Sequence, residues 1–184
     1  RSDRYIVTFD RAFEQVVRAC SEPRPGHPET WISDRIARSY VGLHKAGHAH
    51  SIECWRAGDD ADGRPELVGG LYGVGFERVF CGESMFARAD NASKGALAWL
   101  VALMRHARFQ LLDCQFMTDH LASLGAIEMP QRMYLQALEK ARGKPRMSLR
   151  QAYAAFTEDA IKADQLSSTE SPGKRIAQSF THTS

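Results

Sequence analysis

The chain has 184 residues, with 24 Lys and Arg against 22 Asp and Glu and a net charge of +2. That length predicts one domain with a substantial core, and 43% hydrophobic with 25% charged residues excludes a chain too polar to fold. Near-neutrality excludes a protein that grips nucleic acid over its whole surface and leaves room only for a local patch, while no apolar run reaches the ~20 residues of a membrane span.

In chain order, Tyr5–Phe9 reads as a short strand, and Asp10 is placed to cap a helix whose apolar face holds Phe13, Val16 and Val17. Ser21–Glu29 carries three prolines and a glycine and reads as a loop. Ser33 precedes a helical stretch with Ile36, Tyr40, Val41 and Leu43, stopped by Gly47. His50–Trp55, Glu66–Val74 and Val79–Cys81 read as strands of an antiparallel meander, with a polar turn over Ala57–Pro65. Asn91 or Ser93 opens an apolar helix through His106, followed by a strand over Phe109–Gln115, a short helix over Thr118–Leu124 and another over Tyr134–Ala141. Residues 148–166 suit one more helix, and 167–184, rich in Ser and Thr, suit a disordered tail. This mixed order predicts an α/β or α+β domain in three layers.

The four cysteines, Cys20, Cys54, Cys81 and Cys114, form no Cys-x-x-Cys pair. Neither a zinc ribbon nor a thioredoxin-like site is indicated, and reduced thiols in a cytoplasm are expected. The chain opens on Arg1 rather than Met, as a fragment or processed product would.

Asp113 and Gln115 flank Cys114, and period-two alternation sends both polar side chains to one face, with Leu112 and Cys114 on the other. A carboxylate and an amide side by side can exchange hydrogen bonds and aim at one substrate atom; the competing role is a bond to neighbouring backbone. Glu83 is a lone acid in the block Phe80-Cys81-Gly82-Glu83-Ser84-Met85-Phe86, suited to an α-ammonium group or to an ion pair with Arg88. Gly69–Gly75 lacks the lysine and the helix of a phosphate loop and suits a bent strand. His44, His48 and His50 lack a recognised metal spacing, so no metal is expected. Cys114 with His120 suggests a thiol nucleophile only weakly, because Cys114 is expected to point inward. Lys140, Arg142, Lys144, Arg146 and Arg150 form a basic run suited either to phosphate contact or to a solvated face.

Seven blocks in order resemble one family. They are Glu29-Thr30-Trp31-Ile32, Gly47–Glu53, Leu67–Val74, Phe80–Phe86, Asn91-Ala92-Ser93-Lys94, Leu112-Asp113-Cys114-Gln115 and His120–Ala126. Together they resemble the leucyl/phenylalanyl-tRNA–protein transferases of bacteria, from about Tyr5 to Gly143. The resemblance implies a GNAT-like acyltransferase domain with a central mixed, largely antiparallel sheet, spanning residues 1–147. It implies transfer of Leu or Phe, with Met a minor donor, from aminoacyl-tRNA to the N-terminal Arg or Lys of a protein, marking it for N-end-rule degradation. It places Asp113 and Gln115 at the reaction centre, Glu83 at the amino-acid site and Trp31 against the terminal adenosine.

An aminoacyl ester is already activated, so no covalent enzyme intermediate and no cofactor are required. Leu71, Phe80, Met85, Leu100 and Leu112 are candidates for the apolar pocket, with ordinary core packing as the competing role, favoured for Leu100. Lys140, Arg142, Lys144 and Arg146 then suit phosphate contacts to the tRNA. A monomer is expected. The family's amino-terminal lobe, with its Gly-Gly-Asp-Leu stretch, is expected to be missing. Two alternatives remain: an acyl-coenzyme A enzyme of the same fold, for which the lead residue before Gly73-Val74-Gly75 is lacking, and a non-catalytic module binding a tRNA end or an N-degron.

Overall fold

The structure, a computed structural model, describes residues 5–23, 30–57 and 63–166, without the side chains of 160–166. The expected tail over 167–184 lies outside the described residues, as does most of the proline-rich loop. Five strands form one sheet in sequence order: β1 (Ile6–Phe9), β2 (Ala49–Arg56), β3 (Glu66–Phe76), β4 (Val79–Ala87) and β5 (Leu111–Asp113). The first four pair antiparallel and β4 pairs with β5 in parallel, so the sheet is mixed and largely antiparallel.

Helices α1 (Phe13–Ser21) and α2 (Asp34–Lys45) cover one face, where Val16, Val17, Ala49, Tyr72 and Phe86 are buried. Helices α3 (Ala92–Ala107) and α6 (Leu149–Leu166) cover the other, over Ile52, Cys54, Val68, Leu71, Phe80, Leu100 and Leu103. The chain is therefore a three-layer α/β domain. Two short helices, α4 (Asp119–Ser123) and α5 (Gln131–Lys140), follow β5. The stretch expected as a last helix does form α6, and its Leu149 and Ala152 join the core beneath α3. No helix among the described residues is long and apolar enough to cross a membrane.

The glycines of β3 belong to a bent strand. A Cβ on Gly73 would lie 2.1 Å from the Cys81 carbonyl oxygen and 2.5 Å from the Phe80 ring, so only glycine lets β4 close on β3 there. The register shifts between Tyr72 and Gly73, which places one extra residue of β4 opposite the bend.

Three local expectations change. Asp10 does not cap α1: the cap position is Ala12, without a side-chain bond. The Arg11 and Ala12 N–H groups instead donate to the buried Glu53 carboxylate at 3.4 Å each. The Asp10 carboxylate turns to β2, accepting the Ser51 N–H at 3.0 Å and meeting His50 Nδ1 at 2.9 Å and Arg150 Nη2 at 2.8 Å. Strand β5 is shorter than the apolar run implies, because Arg108 turns left-handed (φ 64°) to end α3 and Gln115 (φ 58°) ends the strand. Strand β4 is longer than expected and carries the whole 80–86 block.

Glu53 is fully buried on β2. Hydroxyls of Thr8 and Ser51 donate to it, and Trp55 Nε1–H donates to Thr8 Oγ1 at 2.8 Å. Burial nonetheless wins over these four donors and holds its carboxyl above the ordinary carboxylate range.

Candidate active site

Helix α2 opens cleanly onto the sheet because its first turn is fixed twice. Thr30 Oγ1 accepts the Ile32 N–H at 3.1 Å, and Ser33 Oγ accepts the Ile36 N–H at 3.4 Å. Ile32 is buried between these two bonds, which leaves Trp31 held at the surface, 52% exposed, with its ring edge-on to Tyr40 at 6.4 Å. Between α2 and the β3–β4 hairpin lies a cavity of about 540 Å³, lined by Trp31, Ile36, Ser39, Tyr40, Leu43, Val74, Phe76, Cys81 and Glu83. Ile36, Tyr40 and Leu43 are one stripe of the helix, spaced four and three residues apart.

Glu83 stands in this cavity beside the Tyr40 hydroxyl. Burial first, and then the hydrogen bond to the Glu83 carboxylate, push that hydroxyl above the ordinary phenol range, so it stays a donor. The ion pair with Arg88 does not form: Arg88 Nη2 is held by Glu22 at 2.7 Å. Glu83 therefore offers its charge to the cavity.

Asp113 ends β5 directly opposite Cys81 in the parallel pairing with β4. Both of its oxygens are engaged. Oδ1 accepts the Gln115 backbone N–H at 2.8 Å, and Oδ2 accepts the Tyr134 hydroxyl from α5 at 2.7 Å. The bond to Asp113 is the first cause, and burial the second, that push Tyr134 up to about 12. Asp113 thus bonds Gln115 through its backbone rather than its amide; the amide nitrogen lies 3.5 Å from the Asp113 carbonyl oxygen, and the side chain is exposed. Cys81 sits with Asp113 and Glu83, and burial followed by these two carboxylates pushes its thiol up to about 11. Burial, then Asp113, also raises Cys114. Neither thiol is a ready thiolate nucleophile.

The apolar candidates fall elsewhere. Leu71, Phe80 and Leu100 are core residues, 2%, 1% and 1% exposed, on the α3 face. Met85 and Leu112 pack against that same cluster. None of the five lines the cavity, whose apolar wall is Ile36, Leu43, Val74 and Phe76. Tyr40 and Tyr134 complete the site without having been singled out in the sequence; the only advance signal for Tyr40 is its place on the apolar stripe of α2. His44 and His50 are hydrogen-bonded, to the Ala49 carbonyl at 2.8 Å and to Asp10, and no group of three metal-binding side chains occurs among the described residues.

The basic run is fixed by Arg78 in the β3–β4 turn. Its Nη2 donates to the carbonyls of Lys140 and Arg142 at 2.5 and 2.7 Å, tying the end of α5 to the cavity end of the sheet. Lys140, Arg142, Lys144 and Arg146 are exposed. Arg142 pairs with Glu139 at 3.2 Å and Arg150 with Asp10, so Lys140, Lys144 and Arg146 are the members without an ion pair among the described residues.

A protein named leucyl/phenylalanyl-tRNA–protein transferase from Novosphingobium aromaticivorans is 51% identical across the whole of this chain, which covers 77% of that protein. Proteins of the same name from Rhizorhabdus wittichii and Zymomonas mobilis are 56% and 55% identical over 78% and 77% of the chain, which spans 55% and 50% of their lengths. The sequence profile described as leucyl/phenylalanyl-tRNA protein transferase matches residues 1–139, a stretch containing Trp31, Glu83, Asp113, Gln115 and Tyr134, and the chain belongs to that family.

Proposed function

We propose that the chain is the catalytic, GNAT-like part of an enzyme that moves Leu or Phe, and to a lesser extent Met, from aminoacyl-tRNA to the N-terminal Arg or Lys of an acceptor protein. Such a product would enter N-end-rule degradation in the cytoplasm, with the enzyme acting as a monomer. The observation that carries this reading is Glu83 and Cys81 on one wall of a mainly apolar cavity with Trp31 at its mouth, and Asp113 paired opposite Cys81 on the next strand. The names of the relatives support the same chemistry.

In this reading Glu83 takes the α-ammonium group of the aminoacyl moiety, as a half-buried carboxylate with a single hydroxyl donor has capacity to do. Ile36, Leu43, Val74 and Phe76, which line the cavity, are assigned to the Leu or Phe side chain, with Leu71, Phe80, Met85, Leu100 and Leu112, packed on the α3 face, as the alternative set. An apolar wall separates side chains differing by a methylene or a ring by only ~1–3 kcal/mol, which fits a donor range rather than one donor. Trp31 stacks on the terminal adenine. Lys140, Lys144 and Arg146 hold phosphates of the tRNA body.

The reaction joins the acceptor's α-amine nitrogen to the ester carbonyl carbon, and the bond from that carbon to the ribose oxygen breaks. The ribose oxygen leaves with the electron pair and gains the amine's proton. Gln115 Oε1 accepts a hydrogen bond from the attacking amine, and Asp113 stabilises the positive charge that develops on it. Asp113 acts with its geometry already set, since Tyr134 and the Gln115 backbone hold both oxygens.

Radiolabelled Leu-tRNA and a peptide beginning with Arg test the reading directly. Asp113→Ala and Gln115→Ala should each lower turnover about 100-fold, the scale of losing one acid–base or electrostatic contact, with a smaller effect on KM. Wild-type turnover in both variants would refute the assignment. Binding of both substrates without any transfer would favour the non-catalytic module.

A further inference from the structure

A second cavity, of about 390 Å³, lies at the opposite end of β4 from the first, where that strand runs into α3. Arg88, Asp90, Asn91, Ser93, Lys94 and His120 line it. Its floor is the N-terminus of a 16-residue helix whose cap, Asn91, makes no side-chain bond to the first turn. The Ala92 and Gly95 N–H groups find carbonyls, whereas those of Ser93 and Lys94 make no hydrogen bond among the described residues. Ser93 itself is 7% exposed, lines the cavity, and its hydroxyl makes no hydrogen bond among the described residues. A polar side chain more than nine-tenths buried and opening only onto the cavity is placed to donate to a ligand acceptor atom there.

The charges around it specify the ligand's sign. Arg88 is committed to Glu22 and Asp90 adds one negative charge at the exposed rim. Lys94 forms no ion pair and the His120 ring no hydrogen bond among the described residues. A lysine, an imidazole, two free N–H groups and a hydroxyl at a helix N-terminus form an anion cradle. We propose that it binds a backbone phosphate in the single-stranded 3′ end of the aminoacyl-tRNA, a few nucleotides before the aminoacylated ribose. The proposal rests on the transfer reaction above. Its geometry is carried by β4: Cys81, beside Asp113, and Ala87, on the wall of the second cavity, are six residues apart, or about 20 Å of strand. The loop from Cys114 to Thr118 leads from Asp113 toward His120 on the cavity wall, and Phe116 stands on it 82% exposed, a surface for an unpaired base. The donor strand therefore leaves the reaction centre along β4, away from Lys144 and Arg146, which are left for the tRNA body.

The test compares Leu-tRNA with a leucyl ester of adenosine that carries no phosphate. In Ser93→Ala/Lys94→Ala, which keeps helix formers in the first turn, the ratio of kcat/KM for Leu-tRNA to that for the phosphate-free donor should fall about tenfold, through KM. A short aminoacylated oligonucleotide ending in CCA should show the same fall, whereas Lys144→Ala/Arg146→Ala should affect only the full tRNA. An equal loss with both donors, no loss, or a raised KM for the acceptor peptide instead would overturn the proposal. Inorganic pyrophosphate, titrated by chemical shift, should perturb Ser93 and Lys94 in the wild type and not in the double variant. If the wild type transfers nothing from either donor the reaction reading fails, and this titration still judges the anion site: absence of binding would overturn it.

Discussion

Tyr134→Phe isolates the part of the site that no local pattern announces. The hydroxyl donates at 2.7 Å to Asp113 Oδ2, and the variant removes that one atom while leaving the ring on α5. Hydrogen bonds to charged groups contribute about 1.5–3 kcal/mol, and partial exposure of both partners places this one near ~1.5 kcal/mol. If the bond fixes the carboxylate for the transition state, that energy appears in the barrier and turnover falls about tenfold. Tyr134 bonds Asp113 and does not line the cavity, so KM for Leu-tRNA and for the Arg-peptide should stay at the wild-type value. Because the bond pushes Tyr134 up to about 12, the phenol does not ionise near neutrality, and the two enzymes should give parallel pH–rate profiles between about pH 6 and 9. A melting curve supplies the control, since 1 kcal/mol shifts the midpoint of a domain this size by only ~2–4 °C. Unchanged kcat, or a kcat loss matched by an equal rise in KM, would refute the reasoning and leave Tyr134 a structural residue.

Glu53→Gln should cost about 1–3 kcal/mol in urea unfolding, because its amide sets a donor against the donors of Thr8, Ser51, Arg11 and Ala12. It should also remove a pH dependence. With the folded carboxyl raised, the unfolded chain ionises first, so wild-type stability falls as pH rises from the ordinary carboxylate range through the folded value; matching slopes in both proteins would disprove this. Gly73→Ala should cost about 3 kcal/mol, since its Cβ meets the Cys81 carbonyl at 2.1 Å and the strands must part. An unchanged urea midpoint would contradict it. Trp31→Ala should raise KM for Leu-tRNA about tenfold at constant kcat, a ~1–3 kcal/mol stacking loss, with the melting temperature unmoved because the ring is half exposed; a fall in kcat alone would count against stacking.

Alternation along β5 holds through Asp113, which pairs opposite Cys81, and stops being informative before Gln115, expected on the same face. Gln115 lies at φ 58° because the Asp113 carboxylate accepts its N–H, a local bond that competes with strand pairing and ends the ladder. A hydrophobicity pattern cannot register that competition. The same limit explains the apolar pocket. Leu71 and Phe80 have the residue type required by a Leu or Phe subsite and by a core alike, so their role depends on which face they take. That face is set by the register shifts at Cys54/Trp55 and Tyr72/Gly73, the second of which depends on Gly73 leaving no Cβ to meet the Cys81 carbonyl. Glu83 is a simpler case, because an acid inside an apolar block has few outcomes, a partner or a cavity, and the structure puts it on a cavity wall. The two cations five residues away in sequence are committed elsewhere, Arg88 to Glu22 and Arg78 to the carbonyls of Lys140 and Arg142. What remains beside Glu83 is the Tyr40 hydroxyl and open space, on which the proposed ammonium site rests. The same reasoning, applied to Ser93, Lys94 and two idle N–H groups at the other end of β4, points to an anion. A substrate carrying an ammonium group at one end and phosphates along its length matches both ends of that strand.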